Sequence, residues 1–81
     1  MTSRERTYRT EGIILRRRNI GEADSIFTIF SNTQGKIDAV ARSIRKPRSK
    51  MRGHLETMVQ SSLFVARGRS LDILTQAQTI D

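Results

Sequence analysis

The clearest structural signal lies in residues 25–42, Ser-Ile-Phe-Thr-Ile-Phe-Ser-Asn-Thr-Gln-Gly-Lys-Ile-Asp-Ala-Val-Ala-Arg. Its first part, Ser25–Ser31, is β-branched and aromatic, which favours a strand with apolar side chains on both faces. Its last part, Lys36–Arg42, places Ile37, Ala39 and Ala41 on one face of a second strand. The intervening Asn-Thr-Gln-Gly has turn composition. Two such runs separated by a turn signal predict a β-hairpin.

Working outward, three more segments have strand composition: Arg9–Arg18, Glu56–Ala66 and Leu71–Ala77. Gly12 would allow a bulge or a bend in the first of them. Five short strands without a long helix predict an all-β protein. Closing one sheet on itself removes its edges, so we expect a small five-stranded OB-type Greek-key barrel over residues 7–81. An SH3-like barrel is the competing fold. Residues 1–6 have the composition of a flexible basic tail.

A dense cluster of cations separates the third and fourth strands. The run Arg-Ser-Ile-Arg-Lys-Pro-Arg-Ser-Lys-Met-Arg, residues 42–52, contains no acid. Its cations are Arg42, Arg45, Lys46, Arg48, Lys50 and Arg52. Like charges at this density repel one another, which predicts an exposed, mobile loop until a polyanion neutralises it. With a net charge of +7, the chain is suited to binding nucleic-acid phosphates. The alternative is a solvated loop that only aids solubility.

Other cations could extend a phosphate-binding track, and few aromatic residues are available to stack on bases. The further candidates for contact with nucleic acid are Arg16, Arg18, Lys36, Arg67 and Arg69. Tyr8 and Phe64 are possible stacking residues, and the alternative for Tyr8 is a packed tyrosine with its hydroxyl at the surface. Phe27 and Phe30 lie in the most hydrophobic strand and are expected in the core. We therefore expect binding that depends mainly on backbone charge, with weak sequence preference.

The composition argues against catalysis and against a cofactor. There is no cysteine, which excludes disulfides and thiolate metal sites, and neither a P-loop nor a zinc pattern occurs. The one histidine, His54, has no obvious catalytic partner. No stretch approaches the ~18 apolar residues of a membrane helix. The expectation is a non-enzymatic protein without metal or membrane partner, located in the cytoplasm and associated with the nucleoid.

Several segments match a known family in order and spacing. They are residues 8–15 (Tyr-Arg-Thr-Glu-Gly-Ile-Ile-Leu), 21–30 (Gly-Glu-Ala-Asp-Ser-Ile-Phe-Thr-Ile-Phe), Gly35-Lys36, the basic stretch 42–50 and 71–77 (Leu-Asp-Ile-Leu-Thr-Gln-Ala). In these segments the chain resembles the N-terminal domain of the RecO family of bacterial recombination mediators. Two departures are Ser43, where the family has glycine, and Thr57-Met58, where it often has Pro-Phe.

The resemblance implies an OB-fold that binds single- and double-stranded DNA. It also implies strand annealing, and work with RecR and single-strand-binding protein in loading RecA. The family continues into a helical domain with a zinc-binding motif, so the chain is expected to be a fragment of a longer protein. The alternatives left open are an RNA-binding OB module and a protein-docking module for RecR.

Overall fold

The strands of the molecule follow the predicted order. The computed structural model describes residues 6–80 and contains β1 (Thr7–Ile20), β2 (Asp24–Ser31), β3 (Gly35–Ala41), β4 (Gln60–Ala66) and β5 (Asp72–Thr79). A short 3₁₀ turn, Arg52–His54, lies between β3 and β4. Residues 1–5, most of the predicted tail, lie outside the described residues. Within residues 6–80, no helix combines the length and apolar character needed to cross a bilayer.

The five strands close into a barrel in the order β1-β2-β3-β5-β4. β1 pairs antiparallel with both β2 and β4, while β3 and β5 pair in parallel through Ala39 with Asp72 and Val40 with Ile73. This is a closed, five-stranded all-β barrel of the OB type, so the predicted fold class is confirmed.

The long first strand pairs with two neighbouring strands, β2 and β4. Its first half pairs with β4 and its second half with β2. Gly12 lies where the two halves meet, and a Cβ atom added there would be 2.6 Å from Ile29 Cγ2 and 2.9 Å from the Phe30 carbonyl oxygen. Glycine is therefore needed for close approach of β1 and β2. The irregularity in register follows it, between Ile14 and Arg16.

The core fills the barrel with one face of each strand. On β3, Ala39 and Ala41 are fully buried and Ile37 packs against them, which confirms the face predicted for that strand. The other core side chains from the strands are Tyr8, Ile14, Phe27, Ile29, Leu63, Val65 and Leu74. Successive side chains of a strand point to opposite faces, so the intervening residues form the outer surface.

The predicted fourth strand is too long at its start. It was expected from Glu56, but β4 begins at Gln60. Met58 has a φ of +70°, a left-handed conformation that interrupts an extended strand. Its amide instead donates to the Ile14 carbonyl at 2.6 Å.

Candidate nucleic-acid interface

The segment between β3 and β4, residues 42–59, covers the core, and we call it the cap. Ile44 and Leu55 are 0% and 2% exposed and belong to the core cluster, and Met51 packs partly against it. The Arg45 amide also donates to the Ala23 carbonyl at 3.0 Å. The basic run is therefore anchored to the core by apolar side chains and does not project freely, while most of its cations are exposed as predicted.

A second set of contacts ties the end of the cap to β4 and β5. His54 Nδ1 lies 2.7 Å from Thr79 Oγ1 and accepts the Thr79 amide at 3.0 Å. The Ser61 hydroxyl donates to the His54 carbonyl. A ring nitrogen that accepts a backbone N–H carries no proton, so the ring proton lies on Nε2. His54 thus has a structural role in holding the cap.

Four cations of the cap meet around one shallow depression. Arg42, Lys46, Arg48 and Lys50 line it with Ser43, Ser49, Met51 and Thr75 of β5. All four are exposed, and within residues 6–80 none of the four has a side-chain hydrogen-bond or carboxylate partner. The predicted cluster is thus brought together in space, and its charge is available to an anionic ligand.

The nearby carboxylates accept hydrogen bonds from neutral donors. Asp24 accepts the Ser43 amide at 2.7 Å. Asp38 accepts the Thr28 hydroxyl at 2.7 Å. Neither carboxylate lines the depression.

Arg45 departs from the prediction that all six cations of the run contact the ligand. It is half-buried, and its Nη2 donates to the carbonyl oxygens of Ile20 and Gly21 at 3.2 and 2.6 Å. Its buried Nε atom has no hydrogen-bond partner among the described residues. These contacts hold the cap to the turn between β1 and β2. Arg45 is therefore a structural anchor, and its guanidinium is not free to bind phosphate.

A second depression adjoins the first and extends the surface across β4 and β5. Lys50, Met51 and Thr75 line both. The second depression also contains Arg9 and Phe64. Phe64, the other possible stacking residue, is half-buried on the outer side of β4. Arg9 was not among the cations predicted to contact nucleic acid, although its position beside Tyr8 in the first strand could be seen in the sequence.

The remaining predicted cations lie elsewhere. Arg16 and Arg18 pair with Thr28 and Ile26, on the outer face of β1 and β2, and Lys36 is on β3 opposite Phe30. Arg52 is exposed in the 3₁₀ turn but lines neither depression. Arg69 is exposed in the connection between β4 and β5. The structure therefore groups only part of the predicted set around the cap.

Tyr8 is packed and is not a stacking platform, which agrees with the packed alternative and removes it from the possible stacking residues. Its side chain is 8% exposed and belongs to the core. Its hydroxyl donates to Asp72 Oδ2 at 2.8 Å, and the Arg67 guanidinium lies 4.5 Å from the ring centroid. Burial, the hydrogen bond to Asp72 and the charge of Asp72 raise the pKa of Tyr8 to about 12, although the charge of Arg67 opposes this shift. Arg67 is thus engaged with the barrel.

Phe30 is the aromatic residue that sequence reasoning placed wrongly. It was expected in the core, yet it is 57% exposed. Its neighbours in the chain, Ile29 and Ser31, are 0% and 3% exposed, so Phe30 is on the outer face of β2. The strand is apolar on both faces, which leaves no alternation in the sequence to identify the inner one.

Within residues 6–80 there is no group of three or more histidine, cysteine or acidic side chains that could hold a metal ion. The main feature of this surface is the set of cations around the depression on the cap.

Comparisons with known proteins connect the chain to a family. The family model described as "Recombination protein O N terminal" matches residues 2–81. Proteins named "DNA repair protein RecO" are similar to the chain. The one from Bifidobacterium adolescentis is 42% identical over 73 residues, 90% of this chain and 30% of that protein. The one from Heliobacterium modesticaldum is 36% identical over 76 residues, 94% of the chain and 28% of that protein.

A third relative covers slightly more of the chain. The protein of the same name from Roseiflexus is 45% identical over 78 residues, 96% of this chain and 27% of that protein. The chain thus spans less than a third of the length of the curated relatives it matches.

Proposed function

The chain belongs to the family of recombination protein O N-terminal domains, and from this membership and the geometry of the cap we propose that it binds DNA through the phosphate backbone. The domain would serve recombinational repair by holding strands of any sequence and by screening the repulsion between two strands during annealing. The observation that carries the proposal is the meeting of four cations around one depression, none of which has a hydrogen-bond or carboxylate partner within residues 6–80.

The physical basis of the proposed affinity is counterion release. Each cation that neutralises a phosphate of single-stranded DNA contributes about −0.7 to the slope of log affinity against log salt. Four contacts, from Arg42, Lys46, Arg48 and Lys50, give a slope of about −2.8. Raising the salt from 50 to 200 mM should then weaken binding roughly 50-fold.

A pair of arginine variants tests the assignment. We expect Arg48→Met to reduce the magnitude of the salt slope by about 0.7, since Arg48 is exposed and unpaired. Arg45→Met is the matched control, because the same change at an anchored arginine should lower stability and leave the slope unchanged. The measurement is fluorescence anisotropy of a labelled oligothymidylate at several salt concentrations, with thermal unfolding of each variant.

Two results would contradict the proposal. One is binding that does not depend on salt, and the other is a slope that Arg48→Met leaves unchanged. Competition by an RNA oligomer of matched sequence separates DNA binding from an RNA-binding function, because only RNA offers 2′-hydroxyl groups.

A further inference from the structure

We propose that residues 15–19 of β1 form a docking edge, to which an extended acidic segment of another protein adds as a further strand of the sheet. We call these residues the free edge. Backbone hydrogen bonds of the added strand supply the affinity, and its acidic side chains meet the cations of the edge. The site is separate from the depression on the cap, which contains none of these residues.

The pairing of β1 leaves this edge open. The ladder with β4 ends at Ile13, after which the Ile14 amide donates to the Val59 carbonyl and the Met58 amide donates to the Ile14 carbonyl. Beyond Ile14, β1 pairs only with β2. Within residues 6–80, no hydrogen bond other than those of this ladder reaches the backbone of the free edge. Because alternate residues of a strand direct their N–H and C=O groups to opposite edges, about half of these residues present theirs to solvent.

The free edge is also exposed on its two faces. Residues 15–19 are all exposed, although their partners in β2, residues 25–28, are buried. Beside the edge lies a further depression, lined in part by Leu15 and Leu55. Leu15 is 40% exposed there, so an apolar side chain of the added strand has a contact. Depressions beside an edge are what give strand addition its side-chain specificity.

Three consecutive arginines determine the charge that the edge accepts. Arg16 and Arg18 lie on one face of β1 and Arg17 lies on the other, so acids on either face of an added strand meet a guanidinium. Within residues 6–80, none of the three forms an ion pair or a side-chain hydrogen bond. This includes Glu56, the one acid that lines the same depression.

The same features disfavour the other possible occupants. A second copy of this chain would set arginine against arginine, and like charges directly opposite one another destabilise a sheet. Nucleic acid could neutralise the arginines, but it has no ladder of alternating N–H and C=O groups to match the strand backbone. An acidic extended segment satisfies both the charge and the backbone.

Two labelled peptides test the mode of binding. The first is acetyl-Val-Glu-Glu-Val-Glu-Glu-Val-amide, which carries acids on both faces when it is extended. The second has proline in place of each valine, which keeps the charge and removes N–H groups from both edges of the peptide. By fluorescence anisotropy, the proline peptide should bind the protein about 5- to 150-fold more weakly, the range for two lost backbone hydrogen bonds.

Amide hydrogen exchange measured by NMR locates the site. With the valine peptide at ten times its Kd, exchange should slow about 10-fold at alternate residues of the free edge, since the amides between them already donate to β2. Arg17→Glu should weaken binding of this peptide roughly 2- to 30-fold, because an attraction becomes a repulsion. Arg69→Glu is the matched control, since it makes the same charge change at an exposed arginine between β4 and β5 and should bind as the wild type does. Thermal unfolding verifies that both variants are folded.

Four results would overturn the proposal. Equal affinity for the two peptides would show that charge alone accounts for binding, and unchanged exchange at residues 15–19 would show that the peptide does not occupy the edge. Protection of these amides that rises with protein concentration and needs no peptide would identify a second copy as the occupant. Protection by an oligothymidylate, and not by the valine peptide, would assign the edge to the DNA-binding surface.

Discussion

Substitution of Ile44 by alanine tests whether the basic cap belongs to the folded core. Ile44 is 0% exposed, and the change removes three buried carbon atoms. At ~0.8 kcal/mol for each, the lost transfer free energy is about 2.4 kcal/mol. The cavity left behind brings the expected destabilisation into the range of about 2–5 kcal/mol. A chain of 81 residues has an expected free energy of unfolding of only about 4–12 kcal/mol, so the effect is large.

Met58→Ala is the matched control, because it removes three side-chain atoms from the same segment at a residue that is 70% exposed. We expect it to change stability by less than ~0.5 kcal/mol. Urea unfolding followed by circular dichroism measures both variants, and thermal unfolding should show a fall in Tm of roughly 8–40 °C for Ile44→Ala alone, at about 4–8 °C for each kcal/mol. If the two variants lose similar stability, the cap does not contribute to the core. The basic run is then the projecting loop that the sequence predicted.

Three further predictions concern the backbone and the buried tyrosine. Ser43 has a φ of +58°, a conformation that glycine adopts without steric strain. Ser43→Gly should therefore raise the free energy of unfolding, measured by urea unfolding, by about 0.5–1 kcal/mol. A lower free energy of unfolding would contradict this expectation. Gly12→Ala should lower the free energy of unfolding by ~1–3 kcal/mol, because the added Cβ would lie 2.6 Å from Ile29 Cγ2. An unchanged Tm would show that β1 can move away from β2. The pKa of Tyr8 is raised to about 12 from 10.0, so the stability it contributes is fully present below pH 10 and is lost as pH rises through about 12. Since Tyr8 is the one tyrosine in the chain, an ultraviolet titration of tyrosinate reports it directly, and a midpoint near 10 would contradict the buried hydrogen bond to Asp72.

The hairpin and the barrel could be predicted from the sequence because their signals are local. The turn at residues 32–35 separates two strands whose composition is unambiguous, and the register pairs Phe30 with Lys36 across it. The closed barrel follows from five short strands that need to bury one core.

The role of the cap could not be predicted in this way. Ile44, Met51 and Leu55 are spaced seven and four residues apart, which would suit one face of a helix. The only helical element between β3 and β4 in the described residues is the 3₁₀ turn Arg52–His54, so this spacing does not explain why the three side chains meet in the core. The charge between them predicted a solvated loop. Only the tertiary structure shows that the apolar side chains turn inward while most of the cations remain outside.

The positions of two aromatic residues, Tyr8 and Phe30, could not be settled from the sequence for a related reason. Tyr8 lies near the chain terminus, where exposure is a reasonable expectation, but the pairing of β1 with β4 brings it into the core. Phe30 lies in an apolar strand, where burial is the usual outcome, but the register turns it outward. In both cases the face of the strand is set by pairing with distant segments.

Closure of the barrel by β1 and β4 has a consequence for how the chain reaches its native state. Thr7 pairs with Ala66, so the start of β1 can pair with β4 only after a further 59 residues of the chain are available. Pairings between residues this distant in sequence lose loop-closure entropy before they form stabilising contacts. All-β domains of this kind therefore fold in milliseconds to seconds. On the ribosome, the amino-terminal half of β1 must remain without its β4 partner until most of the domain has emerged. The β2–β3 hairpin, whose strands are joined by a short turn, can form long before then.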